Sequence, residues 1–499
     1  MNSTHLDREI IKDPLHPHSH SQNIQASRPS TIWSPPPISA SASVTALPLT
    51  QKKPLQSTRL KSKLTKDDKQ WLSKKRRCES ASWWLTFFAM ILGILAAAAL
   101  CFQGWKSVNI LTDSQLCLVM QDDFDSSLDS NNWSQDVQLG GFGNGEFEMT
   151  TNDPSNLYIM PTLTSDSIPG GHAAVMDNAT YQLQDSGNST TTSSSNSTTT
   201  SNSTTTSDPC TAVSNAQSGS VINPVMSGRL NTRGKKTIKF GRVEVRAKLP
   251  QGDWLWPAIW MLPQGNSTNS NSSQGTGVYG AWPVSGEIDI MEARGNLPSY
   301  PAQGSNYVRS SLNYGPFPGG STPISSGSST IANLLKSIYG WVSTKRGNFA
   351  DGFHVYAFEW TGEWMRFYTD DRLQAMINLK MSSKSSDSYF FNAGGFPGVA
   401  MNASSGKEVA VEDPWSTAYG GSAAAPFDQE FYLVIDLAVG GTSGWFPDGV
   451  GGKLWYDGSA TAMRDFAAAQ DTWSATWPSS ADARAFRIDY VKMWKLCGT

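Results

Sequence analysis

Three carboxylates stand within six residues in the stretch Trp282-Pro283-Val284-Ser285-Gly286-Glu287-Ile288-Asp289-Ile290-Met291-Glu292, set among β-branched and apolar neighbours. Side chains alternate faces along a strand, so Glu287 and Asp289 point to the same side. Strict alternation sends Glu292 to the other face, but one extra residue, a β-bulge at Ile290 or Met291, brings it back. Carboxylates that close cannot all ionise at their usual pKa, so one glutamate is expected to hold a proton near neutrality. A protonated acid beside an ionised carboxylate is what a two-step displacement at a sugar's anomeric carbon requires. The spacing alone fits an acidic edge strand facing water equally well. Its neighbours favour the chemical reading: Trp254, Trp256 and Trp260 lie upstream, Trp282 leads in, and Gly286 permits close backbone approach. Sugar rings present flat C–H faces that pack on indoles, so carboxylates among tryptophans suggest a saccharide cleft.

The elements that must hold these residues read as all-β from residue 113 onward. Arg242, Glu244, Arg246 and Lys248 alternate with Val243, Val245, Ala247 and Leu249, the pattern of a half-buried strand. Phe353 to Trp360, a turn at Thr361-Gly362 and Trp364 to Thr369 predict a hairpin, with a second turn at Asp370-Asp371. Glu430 to Val439 is a nearly continuous apolar strand carrying one acid, Asp436. Ile331 to Val342 is expected to form a short helix over a loop. Short strands separated by Gly/Pro turns indicate a two-sheet sandwich.

The rest of the 499 residues divides by composition. Residues 1–82 carry fourteen Lys/Arg against six Asp/Glu, about +8, which leaves about −11 for the remainder of a chain whose formal charge is −3. An acidic remainder argues against nucleic acid as a partner. The first 82 residues, rich in Ser, Pro, Gln and His, are expected to be a disordered basic tail. His16, His18 and His20 are read as solvated rather than as metal ligands. Residues 83–102 carry no charge and suffice to span a bilayer as a helix. Lys74, Lys75, Arg76 and Arg77 precede that run and only Lys106 closely follows it. This asymmetry predicts a single-pass anchor with a cytoplasmic N-terminus and the bulk of the chain lumenal or extracellular. A cleaved signal peptide ending near Ala96 to Ala99 is the alternative.

Beyond Lys106, asparagines 132, 178, 188, 196, 202, 266, 271 and 402 each open an Asn-x-Ser/Thr sequon. Residues 186–207 form a Ser/Thr/Asn-rich insertion, with a smaller one at about 265–276. Only His172 and His354 lie beyond the anchor, too few for a His-based zinc site or a nucleophilic triad. No Walker or dinucleotide-binding glycine pattern precedes a helix. No cofactor and no metal are expected, and the oligomeric state is not legible.

Taken together, Trp-Pro-x-Ser-Gly-Glu-Ile-Asp-Ile-Met-Glu resembles the active-site signature of glycoside hydrolase family 16, in the bulged form of its laminarinase-like branch. Further segments resemble family landmarks in order, among them Asp122-Asp123-Phe124, Gly143-Asn144-Gly145-Glu146-Phe147, Ser227-Gly228-Arg229-Leu230, Gly241 to Lys248, Trp254 to Met261, Gly444-Trp445-Phe446-Pro447 and Ile488-Asp489-Tyr490-Val491. The likeness covers residues 113–497 and implies a concanavalin-like β-jelly roll. It also implies Glu287 as nucleophile, Asp289 as assisting carboxylate and Glu292 as general acid/base, with Trp282 and Trp445 as stacking platforms and Asn144 and Arg242 as hydrogen-bonding partners. The first and last strands of such a fold pair, which suggests a Cys117–Cys497 disulfide and leaves Cys210 over.

The sequence departs from the family at Leu312-Asn313-Tyr314-Gly315-Pro316, where laminarinase-like members commonly carry His at the second position. The implied substrate is a β-glucan polysaccharide of cell-wall type, in a membrane-anchored fungal-type member. The implied activity is endo-hydrolysis of β-1,3 or mixed 1,3/1,4 bonds. The alternatives are a wall-remodelling transglycosylase and a glucan-binding protein without turnover.

Overall fold

The structure, a computed structural model, describes residues 62–70, 77–125, 128–141, 143–151, 158–183, 210–265, 276–318, 324–326, 330–332, 334–382, 387–401 and 407–498. Most of the basic tail, the insertion at 186–207, most of the smaller insert and six of the eight sequon asparagines fall outside these. Of the other two, Asn178 is exposed and Asn132 half-buried.

Helix α1 runs Arg77–Ser107, and its Ser80–Lys106 portion, 27 residues long, contains an 18-residue window with a mean hydropathy of 2.5. At 1.5 Å per residue that portion is about 40 Å, more than the hydrocarbon core of a bilayer. The expected span at 83–102 lies inside it. Its Trp83, Trp84, Leu85, Phe88 and Leu92 are all exposed.

The remainder is an all-β sandwich of antiparallel sheets. Thirteen strands carry it: β1 (Leu116–Asp122), β2 (Ser134–Gln135), β3 (Arg229–Asn231), β4 (Gly241–Lys248), β5 (Leu255–Pro263), β6 (Glu287–Ala293), β7 (Tyr307–Tyr314), β8 (Lys336–Ser343), β9 (His354–Trp360), β10 (Trp364–Thr369), β11 (Ala375–Lys380), β12 (Phe431–Val439) and β13 (Phe486–Leu496). The back sheet has the order β1-β13-β4-β9-β10-β11, and the cleft sheet the order β8-β7-β6-β5-β12-β3-β2. Between them lies one core, built from residues such as Val243, Val245, Ile259, Met261, Ile288, Phe358, Phe367, Leu433 and Ile435.

The strand patterns follow from position. β4 alternates buried and half-buried residues along its whole length, as its sequence predicts. β12, central in the cleft sheet, is buried at every position. The β9–β10 hairpin also forms where the sequence places it.

The expected helix at Ile331–Val342 does not form: Thr330–Ala332 and Lys336–Ser343 are strands. Ile338, Gly340 and Val342 turn inward while Ser337, Tyr339 and Trp341 turn outward, a period of two that the apolar spacing conceals. A Cβ at Gly340 would lie 1.9 Å from the Met376 carbonyl, so close sheet-to-sheet contact explains the glycine. The run is rich in β-branched and aromatic residues, which suit a half-buried strand better than a helix.

Cys117 in β1 bonds Cys497, which follows β13, across a sequence separation of 380. Among the described residues β1 is an edge strand paired only to β13, so the bond clips a margin that would otherwise fray. In the chain-entropy account a loop this long places the stabilisation at the upper end, about 5 kcal/mol. Replacing both cysteines by Ser in the full-length protein should lower the melting temperature by roughly 5–10 °C. An unchanged melting temperature would show that strand pairing alone holds the two ends.

Candidate active site

The strand that carries the three carboxylates begins at a turn only glycine satisfies. Gly286 has φ +76°, and a Cβ there would lie 2.7 Å from the Phe427 ring. Along β6, Asp289 stands opposite Ser311 of β7 and Glu292 opposite Arg309, so Ile290 and Met291 together face the single residue Ser310. That is the β-bulge the spacing calls for, and both bulged residues are fully buried in the core. The Ser310 hydroxyl donates to the Ile290 carbonyl at 2.6 Å, which supplies a partner to a group displaced from the ladder. With two consecutive side chains inward, Glu287, Asp289 and Glu292 all line one cleft of about 240 Å³.

The donors around the triad differ in kind. Asn313 Nδ2 donates to Glu287 Oε1 and to Asp289 Oδ2, both at 2.8 Å, and Trp282 Nε1 donates to Glu287 Oε2 at 3.1 Å. Ser337 donates to the Asn313 Oδ1, which fixes the amide with its NH2 toward the acids. Ser311 Oγ lies 2.6 Å from Asp289 Oδ2 and 3.2 Å from Glu292 Oε2, while Trp256 Nε1 donates to Glu292 Oε1 at 3.2 Å. A hydroxyl has one hydrogen, and the shorter contact commits it to Asp289. The Ser311 lone pair facing Glu292 then finds a donor only when Glu292 carries a proton. Glu287, by contrast, meets N–H donors at both oxygens, which favour its ionised form.

Burial raises the proton affinity of all three. Glu287 is pushed up to about 7, against the pull of its Asn313 and Trp282 hydrogen bonds and with help from the Glu292 charge. Asp289 lies well above the carboxylate range through burial and the charges of Glu287 and Glu292. Glu292 is also raised by burial, with Arg309, Trp256, Ser311 and Arg294 opposing. Such groups titrate as a set, and the set retains a proton at neutral pH.

The other wall of the cleft comes from β5, β12 and the loop at 143–146. Trp256, Ala258, Trp260 and Leu262 face the cleft from alternate positions of β5, and Asp436, Ala438, Asn144 and Glu146 complete the wall. Asp436 accepts from Trp260 Nε1 at 2.6 Å, and burial raises it to about 6 despite the nearby Arg229. Arg229 also lies over the Trp260 ring, 4.8 Å from its centroid, so that indole is held at both edge and face.

Of the residues singled out from sequence, Glu287, Asp289, Glu292, Trp282 and Asn144 all reach this cleft. Arg242 does not. It projects from β4 in the back sheet, where it pairs with Glu244, lies 3.9 Å from Glu359 and covers Trp494. Its place in an alternating strand, rather than a ligand, accounts for it. Trp445 is displaced as well: its ring stacks on Trp256 at 4.8 Å and lies under the Arg294 guanidinium at 4.2 Å, so it backs the cleft instead of lining it. Trp254, one of the three upstream tryptophans, is buried against Tyr300, Phe446 and Trp455. Sequence reasoning missed the wall residues Glu146 and Asp436 and the bridging Ser311. The alternation Trp256-x-Ala258-x-Trp260-x-Leu262 was the available signal for β5.

A family model described as glycosyl hydrolases family 16 matches residues 187–422, which include the whole carboxylate strand. A β-1,3-glucan-binding protein of Penaeus monodon is 35% identical over 428 residues, 82% of this chain and 99% of that one. The chain belongs to glycosyl hydrolase family 16. Another relative is glucan endo-1,3-beta-glucosidase A1 of Niallia circulans, 27% identical over 402 residues, which are 78% of this chain and 40% of that enzyme. Among solved structures, the catalytic domain of an endo-1,3-beta-glucanase (laminarinase) from Thermotoga petrophila is 20% identical and covers 77% of this chain and 99% of that domain, with a TM-score of 0.41. The family membership agrees with the sandwich and places the bulged strand within the matched region.

The titration of this family 16 cleft has a consequence for stability. The set binds a proton more tightly folded than unfolded, since burial raises Asp289 and Glu292 and pushes Glu287 up to about 7 from near 4.5. Its contribution is therefore fully present below pH 4.5 and lost as pH rises through 7, a change of about 3 kcal/mol. The melting temperature should fall between pH 4.5 and pH 8, and in Glu287→Gln that fall should be smaller. Equal slopes in the two proteins would mean that Glu287 titrates normally.

Proposed function

We propose that this protein is a retaining glycoside hydrolase that cuts internal β-1,3 or mixed β-1,3/1,4 glucosidic bonds of a β-glucan. The observation that carries the reading is the unequal donor set: N–H groups at both oxygens of Glu287, but at Glu292 one N–H, from Trp256, and a hydrogen-poor hydroxyl at the other oxygen. Glu287 is then the nucleophile and Glu292 the acid. Glu292 protonates the glycosidic oxygen as Glu287 attacks the anomeric carbon, and a covalent glycosyl-enzyme forms. Glu292, now ionised, takes a proton from the incoming water, which displaces Glu287. Asp289, bridged to Glu287 by Asn313 and to Glu292 by Ser311, keeps the two apart in charge and fixed in geometry. Trp282 and Trp256 each present an indole to the cleft while their N–H groups hold one of the two glutamates, so sugar stacking and acid placement are coupled.

Passing the glycosyl group to a second sugar instead of water gives the transglycosylase variant of the same chemistry. A glucan-binding protein without turnover is a separate reading, supported by the likeness to the β-1,3-glucan-binding protein of Penaeus monodon. Full-length protein in detergent, incubated with laminarin, separates the three. Hydrolysis with β-anomeric first products in proton NMR, and a loss of roughly 10⁴-fold or more in Glu287→Ala with oligosaccharide binding retained, is expected. Products longer than the input chains would make it a transferase. An initial α-anomer would overturn the double displacement, and tight binding with no turnover would leave the binding reading.

We also propose that α1 is an uncleaved signal anchor of a single-pass membrane protein, with the glucan-cleaving domain lumenal or extracellular. Four basic residues before the apolar run, and eight of the nine sequons beyond it, support this orientation. Protease added to intact microsomes should remove the tail and spare the domain, and deglycosylation should lower the domain's mass. A protease-sensitive, unglycosylated domain would reverse the topology.

A further inference from the structure

The cleft face does not stop at the carboxylates. Across the sheet, register sets three rows on one face: Glu287 with Asn313 and Ser337, Asp289 with Ser311 and Tyr339, and Glu292 with Arg309 and Trp341. β8 ends the sheet, and its Tyr339 and Trp341 are 55% and 51% exposed. Their ring centroids lie 6.1 Å apart, with the planes stacked at 23°. The strand's inward residues Ile338 and Val342 pack on the core, so the two rings have no place in the interior. Two large aromatics side by side in water, on the face that carries the acids, are an uncovered apolar platform.

A second observation lies between the platform and the acids. Arg309 holds its guanidinium 4.9 Å from the Tyr339 ring and 5.4 Å from the Trp445 ring. Its Nε is buried and has no hydrogen-bond acceptor among the described residues, and the Trp445 indole N–H is in the same state. A sugar residue offers the exposed rings a C–H face and the neighbouring guanidinium hydroxyl oxygens. Glu146, Glu287, Asp289, Glu292 and Asp436 in the adjoining cleft disfavour an anionic occupant, and the Arg309 guanidinium disfavours a cationic one.

We propose that Tyr339 and Trp341, with Arg309 behind them, form a further saccharide subsite that receives glucosyl residues of the same chain beyond the carboxylates. The proposal rests on the reading of the cleft as a β-glucan site. It makes long chains bind better than short ones, because only a long chain reaches the edge strand.

Calorimetric titration of full-length Glu287→Ala protein with laminarihexaose and laminaritriose tests it. Adding Tyr339→Ala and Trp341→Ala should weaken the hexaose roughly tenfold and leave it little better than the triose. Tyr339→Phe with Trp341→Phe should keep most of the advantage, since the rings remain. The melting temperature of the alanine variant reports whether it is folded. A hexaose affinity unchanged by loss of both rings overturns the subsite and leaves the β-glucan reading intact, whereas no binding of either sugar by the parent overturns that reading itself. A change in oligomeric state on losing the rings, with sugar affinity unchanged, would assign the platform to protein contact and overturn the proposal.

Discussion

Everything at the cleft depends on two buried residues, Ile290 and Met291, standing opposite one, Ser310. Without that extra residue the alternation of β6 would turn Glu292 into the apolar core, where an unpaired carboxylate is prohibitively costly. The bulge is held by the fit of both side chains into the core and by the Ser310 hydroxyl on the Ile290 carbonyl. A one-residue irregularity in a ladder thus decides which face a proton donor occupies. The turn at Gly286, pressed against Phe427, fixes where the strand begins and hence the register of all that follows.

Once the three acids share a face, burial raises the proton affinity of all of them and the few donors differentiate one from another. Asn313 spans Glu287 and Asp289 with its two amide hydrogens, and Ser311 spans Asp289 and Glu292 with one. The difference between two hydrogens and one is what separates the glutamates chemically. Asn313 stands where laminarinase-like sequences commonly carry His. With Ser337 on its carbonyl oxygen it acts as a neutral, non-titrating clamp, so the pH behaviour of the site belongs to the carboxylates and not to an imidazole.

The tryptophans show how one composition serves two ends. Trp254 lies in the core, Trp256 and Trp260 face the cleft, and Trp445 stands behind Trp256 with a guanidinium on its ring. Trp256, Trp260 and Trp282 donate their indole N–H groups to Glu292, Asp436 and Glu287. The rings that border the ligand space therefore also fix the acids, and a displaced ring would disturb both at once.

Local regularity made much of this legible. The alternation in β4, the apolar run of β12, the β9–β10 hairpin and the need for a bulge between Asp289 and Glu292 follow from side-chain period and turn chemistry, which are properties of neighbouring residues. What the sequence could not determine was set by pairing across the chain. Ile331–Val342 has an apolar spacing that a helix could also use, and only an edge place beside β7, with Gly340 against Met376, made Lys336–Ser343 a strand. Arg242 carries a family-like motif but belongs to the back sheet, because the sheet a strand joins depends on partners such as β13 and β9, far away in sequence. Asp436 looked like an isolated acid in an apolar strand until β5 and β3 brought Trp260 and Arg229 to it. Sequence by itself determined which residues could do the chemistry, since types and spacing are covalent facts. Tertiary structure decided which of them meet, since register between distant strands is settled by the packing of the whole sandwich.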